Sequence, residues 1–344
     1  MFVTSPQPRM GRTPLAGHLS QASRSHHRAL SSSNQAVAVT SLRVFPAGPD
    51  AVVVAAPAKL NLFLEILGKR PDGYHELETL MVGINLFDTL EVRATTNGEL
   101  RLTCEPASLS AGPDNLVLKA AAALRRQVNR PELGAAITLT KRIPMQAGLA
   151  GGSSDAAAVL VALNTLWKLE LAKADLAIAA AAVGSDVAFF LDLPAGWCTG
   201  RGEVVSAEAI GQPLHFVIAC PALGLSTADV YRRLAVPASP VSGDAIRRAL
   251  RAGDVEALGR SLHNRLQEPA FSLAPPVAAL VRQLADLRPA GAMMSGSGSA
   301  VFALCKDRSD AHRVANAVQS FLSRSSSNST RVMVVQSLAH DDAS

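Results

Sequence analysis

The sequence predicts a protein of mixed α-helix and β-strand structure, and two observations support this. Short runs with period-two alternation, which is typical of strands, interchange with runs whose apolar residues recur every three or four positions, as in helices. In addition, "AAITLTKRIP" is followed by the glycine-rich "PMQAGLAGGSS" and then by an apolar run through Trp167. The order strand, glycine loop, helix follows from this arrangement.

The first half of the chain is predicted to begin with a strand from Ala51 to Leu67. This run starts as a buried strand and then alternates, which places Lys59 and Asn61 on one face. A solvated face on an edge strand is the alternative interpretation of such a polar pair. The further elements expected here are strands at Thr89–Ala94, Glu99–Cys104 and "AAITLTKRIP", a helix after Asp114, and a helix at Ala174–Ala182.

The second half is predicted to begin with a Gly-punctuated hairpin in "GWCTGRGEVV". The strand Leu214–Pro221 then opens a second lobe. Its remaining elements are helical stretches near Ala228–Leu234, Gly243–Arg251, Pro276–Leu287 and Ser309–Leu322, and a closing strand in "RVMVVQS".

The charge of the chain argues against a nucleic-acid partner. The formal net charge is +5, but residues 1–49 contain five arginines and no acidic residue, so the remainder holds 28 basic and 28 acidic residues. A balanced remainder lacks the basic stripe that a phosphate backbone requires.

Two further features bound the class of protein. The four cysteines are far apart and form no C-x-x-C pair, which favours reduced thiols in an intracellular setting. The most apolar long window, Leu171–Leu191, is interrupted by Lys173, Asp175 and Asp186 and therefore predicts no membrane span.

Residues 1–49 are expected to lie outside the fold as a leader. With eight serines, five arginines and no acid, this segment has the composition of an organellar transit peptide. A disordered extension and an over-long start are the alternatives. We expect a cytoplasmic protein, or a stromal one if the leader is a transit peptide.

The stretch Pro144–Ser154 is a candidate phosphate-binding loop. Gly148, Gly151 and Gly152 would let backbone N–H groups converge, and Ser153 and Ser154 are expected at the N-cap of the following helix. A helix N-terminus of this kind favours an anion, most naturally a phosphate. Neither a Walker A motif nor G-x-G-x-x-G is present, and a tight capped loop without a ligand is the alternative.

Three other segments carry candidate site residues. The turn Pro71-Asp72-Gly73 delivers Tyr74 and His75, which could stack on a base and bond its edge, or could simply pack on the surface. Asp186 is a carboxylate between apolar residues, where burial and a nearby cation would decide its use as a base. "GAMMSGSGSAVFAL" is a second glycine-serine loop that leads into a strand.

Taken together, four motifs resemble those of the GHMP kinases (galactokinase, homoserine, mevalonate and phosphomevalonate kinases). They are "PAKLNLFLEILGKRPDGYHELETLM", "PMQAGLAGGSSDAAAVLVALN", "GSDVAFFL" and "MMSGSGSAVFAL". The resemblance implies a two-lobed α+β fold with ATP and substrate in the cleft between the lobes. Residues 50–211 would form an N-terminal lobe like ribosomal protein S5 domain 2, and residues 212–342 a ferredoxin-like C-terminal lobe.

The pairing of "KLNLFL" with "RPDGYHEL" narrows what the resemblance implies about activity. With this pair of motifs the chain resembles the branch of the family that uses ATP to phosphorylate the 2-hydroxyl of a cytidine-diphosphate-linked methylerythritol. That reaction belongs to the non-mevalonate route to isoprenoid precursors. Mg²⁺ is expected with ATP, although its ligands are not evident. The partner would be this small molecule, with no nucleic acid and no membrane, and the protein a monomer or homodimer.

The resemblance also implies residue roles. Asp186 matches the catalytic aspartate, Lys59 its cationic partner, and Asn61 would orient substrate. Tyr74 and His75 match the cytidine-binding pair, Tyr231 would close the other side of the ring, and Thr227 could bond the diphosphocytidyl part. The residues that match the ATP-binding motif are Pro144, Met145, Gln146, Ala147, Gly148, Leu149, Ala150, Gly151, Gly152, Ser153 and Ser154.

The motif departs from the family pattern at Ala150, where glycine is common, and at Gln146 and Ala147. A methyl group at Ala150 is expected to be tolerated if its φ stays below zero. Two alternatives remain open: a mevalonate- or homoserine-type kinase, which would lack Tyr74 and His75 after a D-G turn, and a catalytically silent nucleotide-binding protein of the same fold.

Overall fold

Two β-sheets organise the computed structural model, which describes residues 42–324 and 329–339. The strands are β1 (Val44–Gly48), β2 (Ala51–Lys69), β3 (His75–Thr95), β4 (Leu100–Glu105), β5 (Gly134–Thr140), β6 (Ala195–Thr199), β7 (Val204–Ala207), β8 (His215–Cys220), β9 (His263–Asn264), β10 (Gly291–Met294), β11 (Val301–Cys305) and β12 (Arg331–Gln336). The helices are α1 (Leu116–Gln127), α2 (Gly151–Leu166), α3 (Lys173–Val183), α4 (Thr227–Arg232), α5 (Asp244–Ala252), α6 (Val255–Arg260), α7 (Gln267–Leu273), α8 (Pro275–Asp286) and α9 (Arg308–Arg324).

The first sheet has the order β1-β2-β3-β5-β4, with β6 and β7 continuing from β3 and β9 pairing with β2. Its long strands β2 and β3 are antiparallel, whereas β4 and β5 are parallel and connected through α1. Helix α2 packs on β2 and β3 and also contacts α1 and α3. Because α2 is enclosed by these elements, its alanine-rich sequence is buried on nearly every side.

The second sheet is antiparallel with the order β10-β11-β8-β12. Helix α8 precedes β10 and α9 precedes β12, and both helices pack on this sheet. This is the βαββαβ arrangement of a ferredoxin-like fold, which confirms the predicted α+β class. The isolated bridge between Ile84 of β3 and Ser337, directly after β12, connects the two sheets.

Bulges in β2 shape the part of the first sheet that carries the polar pair. The register with β3 shifts between Pro57 and Ala58 and again between Asn61 and Phe63. A bulge bends a strand and redirects its side chains. Between these two shifts the strand is regular, so Lys59 and Asn61 share a face. Both side chains are buried, and the alternative of a solvated edge is wrong.

One sequence prediction needs correction here. The fold begins before residue 50, because β1 pairs with β2 and Leu42 is buried in the core; residues 1–41 of the predicted leader lie outside the described residues. "GSDVAFFL" forms a turn followed by a short 3₁₀ helix at Ala188–Leu191. Helices α6 and α7 and strand β9 were not predicted, because six, seven and two residues show too little periodicity.

Within the described ranges, no helix is both long and apolar enough to cross a membrane. The four cysteines are buried with free thiols, consistent with the reduced state predicted for them.

Candidate active site

A cleft of about 1160 Å³ is lined by loops from both sheets. Lys59 on β2 and Asp186 after α3 lie on one side, and the glycine stretch and the loop between β10 and β11 lie beside them. Tyr74, His75 and Tyr231 line the same cleft. The fold thus brings together residues from segments that are far apart in sequence.

Lys59 and Asp186 form an ion pair in this cleft. Lys59 Nζ lies 3.7 Å from Asp186 Oδ2 and donates a hydrogen bond of 2.9 Å to the carbonyl of Gly148. The Lys59 side chain is 4% exposed, whereas that of Asp186 is 36% exposed. Burial lowers the pKa of Lys59 below its ordinary value, although the charge of Asp186 opposes this shift. The pair therefore presents an accessible carboxylate backed by a buried cation.

Asn61 holds this lysine in place. Its Oδ1 accepts a hydrogen bond from Lys59 Nζ, and its Nδ2 donates to Thr79 Oγ1 at 2.8 Å. Thr79 in turn donates to the carbonyl of Phe63. Both polar atoms of the Asn61 side chain thus have protein partners, a geometry that favours positioning of Lys59 over the predicted direct orientation of substrate.

Seven of the eleven residues of the predicted ATP motif line the cleft; they are Pro144, Gln146, Ala147, Gly148, Leu149, Ala150 and Ser153. Met145, Gly151, Gly152 and Ser154 are not among the lining residues. Gly148 has a φ of +75°, and a β-carbon there would lie 2.1 Å from the carbonyl oxygen of Ser295. Gly148 is therefore required by the second glycine-serine loop packed against it, which sequence reasoning did not foresee.

The start of α2 differs from the prediction. Helix α2 begins at Gly151, because the N–H of Ser154 already donates to the carbonyl of Ala150. Ala150 is the N-cap, so the expected placement of Ser153 and Ser154 at the cap is wrong. The buried hydroxyl of Ser154 has no hydrogen-bond partner.

The backbone at Ala150 is left-handed, with φ 52° and ψ 30°. The condition for tolerating a methyl group, a φ below zero, is therefore not met. A residue with a β-carbon is strained in this region by about 1–2 kcal/mol. The surrounding loop must hold Ala150 there.

The three aromatic residues of the cleft, Tyr74, His75 and Tyr231, form two ring contacts. The guanidinium of Arg201 sits 4.8 Å from the ring centroid of Tyr74, which is 53% exposed. The rings of His75 and Tyr231 are 5.2 Å apart at 40°. Burial and the charge of Lys69 lower the pKa of His75, which favours a neutral imidazole near pH 7.

Thr227 and further cations complete the cleft. Thr227 Oγ1 lies 2.8 Å from Ser297 Oγ, so α4 meets the second glycine-serine loop. Arg201, Lys69 and Arg232 also line the cleft and were not predicted. A cation in the "TGRGE" turn between β6 and β7 was the available signal for Arg201, but sequence alone does not show that this turn faces the cleft.

Sequence comparisons identify the family. Residues 115–192 match the model of the GHMP kinases N terminal domain, and residues 246–324 match that of GHMP kinases C terminal. The chain is 42% identical over 266 residues to the 4-diphosphocytidyl-2-C-methyl-D-erythritol kinase of Pelotomaculum thermopropionicum, covering 77% of this chain and 92% of that protein. It is also 42% identical over 270 residues to the protein of that name from a Synechococcus strain, covering 74% and 88%. The chain belongs to the 4-diphosphocytidyl-2-C-methyl-D-erythritol kinase family of GHMP kinases.

Solved structures show the same relationship for this member of the family. A crystal structure of 4-(cytidine 5'-diphospho)-2C-methyl-D-erythritol kinase matches with a TM-score of 0.69 and 34% identity, covering 83% of this chain and 99% of that one. Homoserine kinase from Cytophaga hutchinsonii matches with a TM-score of 0.68 at 20% identity, covering 86% and 96%. At that identity the second likeness shows the fold alone.

Proposed function

We propose that this kinase transfers the γ-phosphoryl group of ATP to the 2-hydroxyl of 4-diphosphocytidyl-2-C-methyl-D-erythritol, giving the 2-phosphate and ADP. The observation that carries the proposal is the Lys59–Asp186 pair, which lies in one cleft with the glycine stretch and with Tyr74 and His75. Membership of the family supplies the substrate, and this juxtaposition supplies the chemistry.

Asp186 is proposed as the base. As the 2-hydroxyl oxygen bonds to the γ-phosphorus, the bond from the γ-phosphorus to the bridging oxygen breaks, ADP leaves, and the hydroxyl proton passes to Asp186. Lys59 lies beside this carboxylate and offsets negative charge on the attacking oxygen. Because Asn61 and the carbonyl of Gly148 both bind its ammonium, Lys59 is held in place before substrate arrives.

The cytidyl group is proposed to bind at the aromatic contacts. Tyr74 offers an exposed ring, and His75 and Tyr231 form a second aromatic surface. Stacking of a base on an aromatic ring contributes about 1–3 kcal/mol. Arg201 lies beside Tyr74 and would attract the diphosphate, while Thr227 can bond the same part of the substrate.

The triphosphate of ATP is proposed to bind at the glycine stretch, where the positive end of α2 favours anions. Two oxygen donors in the cleft suit Mg²⁺: the partly exposed carboxylate of Asp186 and the hydroxyl of Ser153. No group of three or more His, Cys, Asp and Glu side chains that could hold a metal occurs among residues 42–324 and 329–339. The ion would thus be held largely by the phosphates of ATP, as is common for Mg²⁺, and would neutralise their charge.

A substrate panel tests the function. Purified protein is incubated with Mg²⁺-ATP and, in turn, the cytidyl substrate, mevalonate and homoserine, and ADP release is measured. We expect release with the cytidyl substrate alone, and none from Asp186→Asn under the same conditions. Turnover of mevalonate or homoserine instead would favour another GHMP kinase activity, and no release with any acceptor would favour a silent nucleotide-binding protein.

A further inference from the structure

A buried network of three charged residues lies behind the glycine stretch, outside the cleft. Lys141, directly after β5, places its ammonium between Asp88 of β3 and Asp155 of α2, with 2.7 Å to Asp155 Oδ2. The three side chains are 8%, 0% and 3% exposed. None of them lines the cleft, so the proposed chemistry does not use them directly.

This Lys141 network holds both ends of the segment 141–150. At the start, Asp88 Oδ1 accepts the backbone N–H groups of Arg142 and Ile143 at 2.5 and 2.9 Å. At the end, Asp155 lies in the first turns of α2, immediately after the segment. The ammonium of Lys141 therefore links Asp88, which binds the start of segment 141–150, to Asp155, which follows its end.

Gly151 packs closely against the Lys141 side chain. A β-carbon at Gly151 would lie 3.0 Å from Lys141 Nζ and 3.0 Å from Ile143 Cγ2. The absence of a side chain at Gly151, the second of the three motif glycines, thus makes room for the lysine. Gly151 itself does not line the cleft.

The loop between these anchors is strained. Gln146 and Ala150 both have positive φ, 51° and 52°. Side chains with a β-carbon persist in such conformations only where the surrounding structure over-determines them. Gln146 and Ala150 line the cleft, so loss of the strained conformation would change the phosphate-facing surface.

Stabilisation of the fold alone does not explain the Lys141 network. Asp155 Oδ1 and the neighbouring Ser154 Oγ are buried without hydrogen-bond partners. A buried ion pair with unsatisfied atoms is weak evidence for a stabilising role and calls for another reason for its presence.

We propose that Lys141, Asp88 and Asp155 are positioning residues for ATP, because they fasten both ends of segment 141–150 and hold Gln146 and Ala150 in their strained conformations. The inference rests on the proposed binding of the triphosphate at this loop. It assigns a task to residues that touch neither ATP nor the cytidyl substrate.

The test measures nucleotide binding and kinetics of Lys141→Met in the full chain. We expect the Kd for ATP, from calorimetry, and the KM for ATP to rise at least tenfold, while the KM for the cytidyl substrate changes less than twofold. Asp155→Asn keeps an acceptor for Lys141, so its Kd for ATP should stay within threefold of wild type. If Lys141→Met does not fold, the variant with Asp88→Asn and Asp155→Asn added removes the unpaired buried carboxylates and carries the same expectation.

A second arm tests the strain directly. Ala150→Gly should recover at least threefold of the lost ATP affinity in the Lys141→Met background. The control is Arg251→Met, which removes a half-exposed arginine from the buried carboxylate of Glu208, away from the cleft, while Arg247 stays paired with that carboxylate. It should lower Tm without changing the Kd for ATP.

The proposal is overturned if folded Lys141→Met binds ATP as wild type does, if the KM values for both substrates rise equally, or if Ala150→Gly brings no recovery. Failure of the proposed function would look different, because the wild-type protein itself would then release no ADP with the cytidyl substrate.

Discussion

Substitution of Gly148 by alanine probes the contact between the two glycine-serine loops. Gly148 has a φ of +75°, and the added methyl carbon would lie 2.1 Å from the carbonyl oxygen of Ser295, with the backbone N of Gly298 at 3.1 Å. The obstructing atoms belong to the backbone, so no side-chain rotation relieves the clash. Either the second loop moves or segment 141–150 does.

The magnitude follows from two contributions. The left-handed backbone costs an alanine about 1–2 kcal/mol relative to glycine. Forcing a methyl group into a packed site adds about 1–3 kcal/mol. We expect Gly148→Ala to lower the free energy of unfolding by about 3 kcal/mol. With an unfolding entropy of about 2.1 cal/mol/K per residue, this lowers the Tm of a chain of this length by roughly 4–5 °C.

The assay combines thermal unfolding with steady-state ADP release. Because Lys59 Nζ donates to the carbonyl of Gly148, displacement of this carbonyl should also lower kcat by at least tenfold. The control is Gly152→Ala in the same motif, where a β-carbon would meet only Leu116 Cδ1, at an ordinary 3.4 Å. Gly152 is the second residue of α2, so this change should leave the free energy of unfolding within about 0.5 kcal/mol of wild type.

Equal stability of Gly148→Ala and wild type would refute the reasoning, since the clash would then not exist in solution. A normal kcat in a destabilised Gly148→Ala would separate the two parts of the prediction and refute the link to Lys59.

Three further predictions concern the site and the response to acid. Asp186→Asn should lower kcat at least 10³-fold with the Kd for ATP within threefold, and near-normal turnover would remove Asp186 from the mechanism. Tyr74→Ala should raise the KM for the cytidyl substrate about tenfold and leave that for ATP unchanged, because only the base stacks there; equal effects on both would contradict the assignment. Buried Glu65 is held ionised by Arg265 and by the backbone N–H groups of Val241 and Ile66, which together overcome burial and lower its pKa to about 2. Its contribution is present above the unfolded pKa near 4.5 and disappears as pH falls towards 2, so wild type should lose about 3 kcal/mol over this range. Glu65→Gln should lack this loss in urea titrations at each pH, and parallel profiles of the two proteins would contradict it.

Local pattern was sufficient for most elements of the fold. The strands at β5, β8 and β12, the hairpin of β6 and β7, and α1, α5, α8 and α9 were all predicted within a few residues, because each carries a clear periodicity or turn signal. The predictions failed where an element extends beyond its own pattern. The predicted strand Thr89–Ala94 is only the end of the 21-residue β3, whose length depends on its pairing with β2.

The candidate site was predictable in its residue types but not in its contacts. Lys59, Asp186, Tyr74 and His75 were identified from motifs, and the structure brings all four to one cleft. Their partners were not predictable, because a bond such as that from Asn61 to Thr79 joins positions whose proximity depends on strand register. The same holds for Arg201, which reaches the cleft only through the fold of its hairpin.

The sequence by itself determined the secondary-structure pattern, the contrast between an acid-free N-terminal segment and a charge-balanced remainder, and the motifs that place the chain among GHMP kinases, because these are encoded in the order of residue types along the chain. Only the tertiary structure decided where α2 begins, that Ala150 is held left-handed, and that three of the motif's neighbours, Asp88, Lys141 and Asp155, form a buried network. These features depend on which distant segments pack together, since close approach to Ser295 and Lys141 determines the need for glycine at 148 and 151.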